Sequence, residues 1–238
     1  SFPTRRSSDL QYSILVRSLS QLPREVQDEG NRQLALNDLY WLLRVILNRP
    51  DCQHQWILDR CREVEANPDS TLDLWSREHY KSTIITFALT IQDVLRDPEQ
   101  TVGIFSHTRP IAKGFLRQIM REFESNAYLR ALFPSVIWAE PKREAPKWSE
   151  DDGIVLRRNG NPKESTIEAH GLVDGQPTGK HYTLMVYDDV VTSSSVATPE
   201  MMQKTTTALE HSYNLGSEGG RRRFIGTRYH ANDSYKTI

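Results

Sequence analysis

The chain has 238 residues, of which 37% are hydrophobic and 26% are charged, and its formal net charge is −1. These values are typical of one large or two small globular domains, and they exclude a disordered or fibrous chain. No apolar run approaches the roughly 18–20 residues that a membrane span requires. The near-neutral charge argues against a surface coated with basic residues, but it is compatible with local basic loops that contact nucleic acid.

The ends of the chain are interpreted as artificial. Residues 1–10 match, codon for codon, the translation of a common short-read sequencing adapter, so we set them aside as an artefact. A natural basic, Ser-rich arm is the alternative. Residues 234–238 carry no capping or terminal signal. We therefore expect the chain to be an internal fragment of a longer protein.

An N-terminal helical segment is predicted over residues 11–66. Dense apolar residues over 33–48 indicate one helix with a broad buried face, ended by an Asn-Arg-Pro sequence. A second helix is predicted from His54 to Glu65. Gln53 or Trp56 is a candidate for contact with an adenine base, and the alternative is a surface Gln and a packing Trp.

The chain has two cysteines, Cys52 and Cys61, which are expected in one helix. Their spacing is not a zinc pattern, and positions nine apart in one helix are too distant for a disulfide. We interpret both as reduced packing residues of a cytosolic protein.

A phosphate-binding loop is predicted after the first strand. Leu72 and Leu74 mark a short strand, and a polar turn then carries Lys81, directly before an apolar segment with helical spacing. Strand, loop, Lys-Ser and helix are the layout of a P-loop. Trp75 and Tyr80 stand where the standard pattern has glycines, so the alternative is an ordinary turn whose Lys faces solvent. A positive φ at Tyr80 would strain that residue.

The next elements continue an alternating pattern. Thr101–Ser106 reads as a buried strand, and Arg109–Glu124 as a helix with Ile111 on its buried face. This alternation is the rhythm of an α/β fold with a parallel sheet. Between residues 132 and 179, Pro and Gly interrupt the chain, and short strands at Gly153–Arg157 and Ser165–Glu168 are predicted to form a hairpin-like excursion.

Two carboxylates follow the most apolar strand. The run from Tyr182 to Tyr187 is typical of a buried parallel strand, and Asp188 and Asp189 come directly after it. Ligands bind at that edge of open α/β sheets. Here the first acid can hold the water shell of Mg²⁺ and the second can polarise an attacking water. The alternative is a pair of capping or loop aspartates.

A last helix is predicted over Pro199–Asn214. The strand after it ends in Gly226 and Thr227. Beside the P-loop strand, such an end can place a hydroxyl near a γ-phosphate, whereas the plain alternative is a strand that leads into a loop.

With these three motifs the chain resembles the ATPase domain of the large terminase subunit of tailed bacteriophages, the motor that packs DNA into proheads. The segment 76–83 is similar to that family's variant P-loop (Walker A), Asp188 and Asp189 to its Walker B motif, and Gly226-Thr227-Arg228 to its coupling motif. The resemblance implies a P-loop NTPase fold of the additional-strand ASCE type over residues 67–238, with a mainly parallel central sheet flanked by helices. The nuclease domain that normally follows is absent from this sequence.

The resemblance also implies roles for individual residues. ATP is expected on the loop formed by Ser76, Arg77, Glu78, His79, Tyr80, Lys81, Ser82 and Thr83. Lys81 would contact the β- and γ-phosphates, and Ser82 and Asp188 would hold Mg²⁺. Asp189 would orient or deprotonate the attacking water, Arg77 would neutralise charge in the transition state, and Thr227 would report the state of the phosphate. A surface salt bridge is the alternative for Arg77.

One residue departs from the family pattern besides Tyr80. Asp189 stands where most such ATPases have Glu, and its side chain is one methylene shorter. It therefore reaches its water less directly, although the family includes Asp-Asp forms.

The expected partners follow from the resemblance alone. They are double-stranded DNA, a portal protein and a small terminase subunit, with a ring-forming homo-oligomer active in the host cytoplasm and no membrane. Arg221–Arg223 and the Lys142–Lys147 segment are candidates to contact DNA, because phosphate contacts need only a few basic loops. The alternatives are a helicase-like P-loop ATPase, a nucleotide-binding assembly module that does not hydrolyse ATP, and a small-molecule kinase.

Overall fold

The computed structural model describes residues 7–238, with side chains from Tyr12 onward. The segment 1–10 interpreted as an adapter translation therefore lies largely outside the described residues, and only its last four positions fall within the first helix. Within the described part of the chain, no helix is both long and apolar enough to cross a membrane.

The N-terminal segment is helical, as predicted. Its elements are α1 (Ser7–Ser20), α2 (Arg24–Asn37), α3 (Leu39–Trp41), which continues as a π-helical turn over Leu42–Ile46, a 3-10 turn at Pro50–Cys52, and α4 (Gln55–Ala66). The prediction of one helix over 33–48 is wrong, because the chain becomes extended at Asp38 with φ −138°. Asp38 then accepts a 2.9 Å hydrogen bond from the backbone N–H of Trp41 and so begins a new helix.

The two cysteines do not share a helix. Cys52 ends the 3-10 turn that precedes α4, whereas Cys61 lies within α4. Both are buried and free. Burial raises the pKa of the Cys52 thiol to about 11, which keeps it protonated and inert at neutral pH.

The described residues form an α/β fold around a seven-stranded sheet in the order β1-β7-β6-β2-β5-β4-β3. The strands are β1 (Leu72–Leu74), β2 (Val102–Ser106), β3 (Trp148–Ser149), β4 (Gly153–Ile154), β5 (Ile167–Gly171), β6 (Tyr182–Asp188) and β7 (Gly216–Gly226). The first five in the sheet order pair in parallel, and β4 and β3 are antiparallel. The predicted hairpin-like pairing is confirmed, because β4 and β5 are antiparallel neighbours, but it is not an excursion, since β5 is a full member of the central sheet beside β2.

Helices cover both faces of the sheet. They are a π-helix (Ser82–Leu89) that continues as α5 (Thr90–Arg96), α6 (Arg109–Ser125), α7 (Ala127–Leu132), α8 (Pro141–Glu144) and α9 (Pro199–Ser212). Side chains alternate between the faces, so Ile104 packs with Ile84 in one core while Phe105 packs with Leu209 of α9 in the other. Ile111 was expected on the buried face of α6 but is 43% exposed.

Candidate nucleotide site at the carboxyl edge of the sheet

The three predicted motifs meet at one edge of the sheet. β1, β7 and β6 are neighbours and run in parallel. Leu74 at the end of β1 is opposite Gly226 at the end of β7, and Asp188 at the end of β6 is opposite Ile225. Their carboxyl ends therefore place the loops after Leu74, Asp188 and Gly226 side by side, where open α/β sheets bind ligands.

A hydrogen bond joins the P-loop candidate to the acidic pair. The Ser82 hydroxyl donates to Oδ1 of Asp188 over 3.0 Å, although the two residues are 106 positions apart. The Thr86 hydroxyl donates to Oδ2 of the same carboxylate. Ser106, at the end of β2, donates to the backbone carbonyl of Asp188 over 2.6 Å. Asp188 is thus fixed from the helix and from a neighbouring strand.

Thr86 and Ser106 were not identified from the sequence. The signal for Thr86 was available, because residues four apart on a helix lie on one face and Thr86 follows Ser82 by four. Nothing local marked Ser106, since its contact depends on β2 and β6 being neighbours in the sheet.

The Asp188 carboxyl is fully buried. Burial raises its pKa to about 7, and the nearby negative charge of Asp189 adds to this effect, while the hydroxyls of Thr86 and Ser82 and the ammonium of Lys81 oppose it. A carboxyl with such a pKa exchanges its proton near neutral pH, so a cation that binds it must displace that proton.

Lys81 contacts the second acid of the pair. Its ammonium nitrogen lies 3.6 Å from Oδ1 of Asp189. Lys81 is 7% exposed, an unusual degree of burial for a lysine. Asp189 has left-handed backbone geometry, with φ 48°, and its N–H donates to the carbonyl of Ile225 over 2.9 Å. Lys81, Ser82, Asp188 and Asp189 thus lie together, as their predicted convergence required.

The loop between β1 and Lys81 is exposed at Ser76, Arg77, Glu78 and His79 and half-buried at Tyr80. Two of these residues have positive φ, Glu78 at 63° and Tyr80 at 59°. The strain anticipated for Tyr80 is therefore present: the backbone keeps a conformation that suits glycine, while the residue is Tyr. Left-handed residues within a turn help form the N–H concavities that bind anions. Strained residues of this kind concentrate at functional sites.

The Arg77 side chain contacts Tyr229. Its Nε donates to the Tyr229 hydroxyl over 3.1 Å, and Nη2 donates to the same oxygen. The guanidinium carbon also lies 5.4 Å from the centre of the Tyr229 ring. The salt bridge considered as an alternative for Arg77 is replaced by this contact with a neutral aromatic residue.

Thr227 and an aromatic cluster border the loop. The Thr227 hydroxyl donates to the carbonyl of Trp75 over 3.3 Å, which links the end of β7 to the start of the loop. Trp56 packs edge-on against both Trp75 and His79, with ring centres 5.6 and 5.4 Å apart. Trp56, one of the two residues considered for an adenine contact, therefore does lie beside the loop.

The residues at this edge fit Mg²⁺. The part of the chain from Tyr12 onward holds no group of three or more His, Cys, Asp or Glu side chains arranged for a metal. Mg²⁺ does not need such a group, since it commonly takes one or two protein oxygens together with phosphate oxygens and waters. The Ser82 hydroxyl and the Asp188 carboxylate are hard oxygen donors of this type.

The basic residues predicted to contact DNA differ in accessibility. Arg223 is 1% exposed; its Nη1 lies 2.6 Å from Asp93 and its Nε 2.9 Å from Asp69. Arg221 pairs with the same Asp69 over 3.1 Å. The Arg221–Arg223 prediction is therefore corrected for Arg223, which is a buried structural cation. Lys142 and Lys147 are exposed.

Two cavities lie away from this edge. One of about 610 Å³ is lined by residues that include Asp93, Thr183 and Arg221, and one of about 410 Å³ by residues that include Trp138 and Arg158. Both are near the amino ends of the parallel strands, opposite the acidic pair. Cavity size therefore does not mark the candidate site, which is identified by its converging charged and hydroxyl groups.

Comparison of the chain with models of known protein families finds no match, and a search of curated proteins finds none. The assignment of a function therefore depends on the three motifs and on the geometry of the residues that they contribute.

Proposed function

We propose that this chain is a P-loop ATPase of the additional-strand type that hydrolyses ATP with Mg²⁺. One observation carries the proposal: Lys81 and Ser82, at the start of a helix after β1, contact Asp189 and Asp188 at the end of β6. The sheet order supports it, because β7 lies between β1 and β6 as the extra strand of that class would. A lysine, a hydroxyl and two acids around a helix start are the groups that phosphoryl transfer needs.

Each residue has a definite task in the proposed reaction. Lys81 leaves Asp189 and binds the β- and γ-phosphates of ATP. Ser82 and ionised Asp188 hold the Mg²⁺ ion, which when bound neutralises phosphate charge. Asp189, released from Lys81, orients or deprotonates the attacking water. Thr227, hydrogen-bonded to the first residue of the loop, reports the state of the γ-phosphate to the rest of the chain.

In this proposal Arg77 supplies the positive charge that neutralises the phosphates in the transition state. It lies on the phosphate loop and is held by the Tyr229 hydroxyl and ring, which carry no compensating carboxylate. A rotation of its side chain from Tyr229 to the phosphates exchanges a neutral partner for an anionic one. Such an arginine contributes on the order of 10³-fold or more to phosphoryl transfer.

The adenine base is assigned to the side of the loop that carries Trp56. Trp56 lies against His79 and Trp75, and Arg60 lies 5.8 Å from the centre of its ring. A partly exposed indole beside a phosphate loop offers a flat apolar surface for a base.

The biological task that we propose is translocation of double-stranded viral DNA into a prohead. It is supported by the resemblance of the three motifs to the terminase large subunit. In that role the chain acts in the host cytoplasm, in a ring of copies, with a portal protein and a small terminase subunit. The exposed Lys142–Lys147 segment and the half-buried Arg221 and Arg222 remain DNA candidates, whereas Arg223 is buried.

Nucleotide binding without hydrolysis is the second candidate. The observation that favours it is the strained Tyr80 directly before Lys81. A bulky residue at that position restricts how closely the backbone can approach a phosphate, which glycine permits. An assembly module that uses ATP as a structural ligand would tolerate that restriction.

Phosphate release and ATP binding, measured on one preparation, separate the two candidates. We expect Mg²⁺-dependent turnover that Lys81→Ala and Asp189→Ala abolish while far-ultraviolet circular dichroism stays unchanged. Lys113→Ala, a substitution on α6 away from the site, is the matched control. Near-wild-type turnover in Lys81→Ala would contradict the site assignment, and tight binding without phosphate release would favour the assembly module. If DNA fails to stimulate turnover at low salt, the translocation proposal fails.

A further inference from the structure

The loop after β7, residues 227–237, folds around one buried carboxylate. Asp233 is 1% exposed. Its Oδ2 accepts hydrogen bonds from the backbone N–H groups of Tyr229 and His230, at 3.2 and 3.3 Å, and its Oδ1 accepts one from Tyr235 at 3.2 Å. Three backbone donors on one side chain fix the shape of the loop, because a carboxylate can satisfy several donors at once. We call this segment the Asp233 loop.

Tyr235 places the Asp233 loop next to the turn that carries Asp188 and Asp189. Its side chain is 3% exposed, and its hydroxyl fills the space that a Cβ at Gly226 would occupy. That hydroxyl lies 3.5 Å from the carbonyl of Ile225. The same carbonyl accepts the N–H of Asp189. The phenol therefore lies against the same carbonyl that holds the backbone N–H of Asp189.

The other aromatic residue of the loop reaches Arg77. Tyr229, whose N–H is bound by Asp233, accepts the hydrogen bonds of the Arg77 guanidinium. One buried carboxylate thus binds the backbone N–H groups of two tyrosines, and the side chain of each tyrosine contacts a residue or strand end assigned to ATP hydrolysis.

We infer that Asp233 and Tyr235 are positioning residues for ATP hydrolysis, an inference that rests on the function proposed above. Neither side chain touches the reacting atoms. Asp189 has φ 48°, and a non-glycine residue keeps such a conformation only where its surroundings hold it. Tyr235 supplies that support through the Ile225 carbonyl, which also binds the N–H of Asp189. Asp233 in turn holds the backbone of Tyr235. Displacement of a catalytic group by about 1 Å can lower a rate by on the order of 10²-fold.

The test is steady-state ATP hydrolysis by the full 238-residue chain. Tyr235→Phe keeps the ring under Gly226 and removes only the hydroxyl. We expect it to lower kcat roughly tenfold or more and to change KM for ATP less than about twofold, because the phosphate loop is untouched. Amide hydrogen exchange at Asp189, whose N–H shares the Ile225 carbonyl with the phenol, should become faster in this variant.

Two further variants and two controls complete the series. Asp233→Ala should lower kcat at least as far as Tyr235→Phe, whereas Asp233→Asn, which keeps one acceptor oxygen, should restore part of it. Tyr128→Phe removes a phenol on α7 that bonds to Asp28 and Asn31, and it should keep wild-type kcat. Thr237→Ala, at the exposed end of the Asp233 loop, should do the same.

The outcomes separate this inference from the proposed function. If the wild-type chain turns over ATP and Tyr235→Phe keeps its kcat, the positioning role is wrong and the ATPase stands. A rise in KM as large as the fall in kcat would also overturn it, because it would indicate general damage to the site. If the wild-type chain releases no more phosphate than Lys81→Ala, the proposed function fails and this inference fails with it.

Discussion

Lys81 Nζ lies 3.6 Å from Asp189 Oδ1, and that oxygen is buried without a hydrogen bond. The two groups therefore stabilise each other as an ion pair, and this pair must break during the proposed reaction. Lys81 must turn to the phosphates, and Asp189 must turn to a water. Binding of the triphosphate would supply the charge that replaces Asp189 as the partner of Lys81, and it would free the carboxylate at the same moment.

The two single substitutions at this pair should therefore differ in ATP affinity. Asp189→Ala removes the competitor of the phosphates for Lys81, so we expect ATP to bind as tightly as to the wild type or more tightly, with kcat lower by about 10²–10⁴-fold. Lys81→Ala should weaken both binding and turnover. Isothermal titration with Mg²⁺ and ATP measures the affinities. Weaker binding of ATP by Asp189→Ala than by the wild type would contradict the competition.

The buried Asp188 should make stability fall as pH rises. Its pKa is about 7 in the folded chain against 3.8 for an unperturbed group. Between those values the folded chain keeps a proton that the unfolded chain has lost, so the free energy of unfolding decreases through this window. The full effect, reached above pH 7, is as much as about 4 kcal/mol.

Asp188→Asn tests this dependence, since it cannot ionise. At pH 8 we expect the variant to unfold at higher urea concentration than the wild type, and at pH 4 the difference should vanish. Asp59→Asn, at an exposed position of α4, is the matched control and should show no such divergence. Parallel stability curves for wild type and Asp188→Asn between pH 4 and 8 would exclude the raised pKa.

Backbone strain in the phosphate loop should be removable at Glu78. This residue is exposed and has φ 63°. Left-handed geometry costs an L-residue about 1–2 kcal/mol that glycine does not incur. Glu78→Gly should therefore be more stable than Glu78→Ala by about 1 kcal/mol, because both lose the carboxylate and only one relieves the strain. Equal melting temperatures for the two variants would show that the loop is not strained there.

The substitution Arg223→Ala should destabilise the fold. It removes the 2.6 Å partner of the buried Asp93 and leaves only the contact with Arg221 at 3.8 Å, so we expect a loss of about 3–5 kcal/mol. The double variant Lys142→Ala/Lys147→Ala should change stability by less than about 1 kcal/mol, because Lys142 is in a surface ion pair and Lys147 is exposed. Urea unfolding measures both. A small loss of unfolding free energy in Arg223→Ala would indicate that this arginine is not a buried structural cation.

The parts of the fold that the sequence predicted were marked by local signals. A short apolar strand, a polar turn and a lysine before an apolar helix identified the loop at Lys81. An unbroken apolar strand before Asp188 identified the other half of the site. Because both groups follow parallel strands, their meeting at one edge could be expected without knowledge of the sheet order.

The features that the sequence did not predict depend on contacts between distant residues. Arg223 reads as one of three surface arginines until Asp93 and Asp69, 130 and 154 positions away, are placed beside it. The role of Asp233 is likewise invisible until its loop is closed. The helix break at Asp38 did have a local signal, because an Asp before an apolar run is a common helix start. The dense apolar residues on both sides favoured one continuous helix instead.

The strand that carries the phosphate loop is the outermost one of its sheet and has three residues. In the described part of the chain β1 pairs on one side, with β7, from Leu72 opposite Phe224 to Leu74 opposite Gly226. Short outer strands open at lower free energy than interior ones. A mechanical load applied through α4 would therefore separate β1 from β7 first. The phosphate loop would move before the strand that carries Asp188 was disturbed.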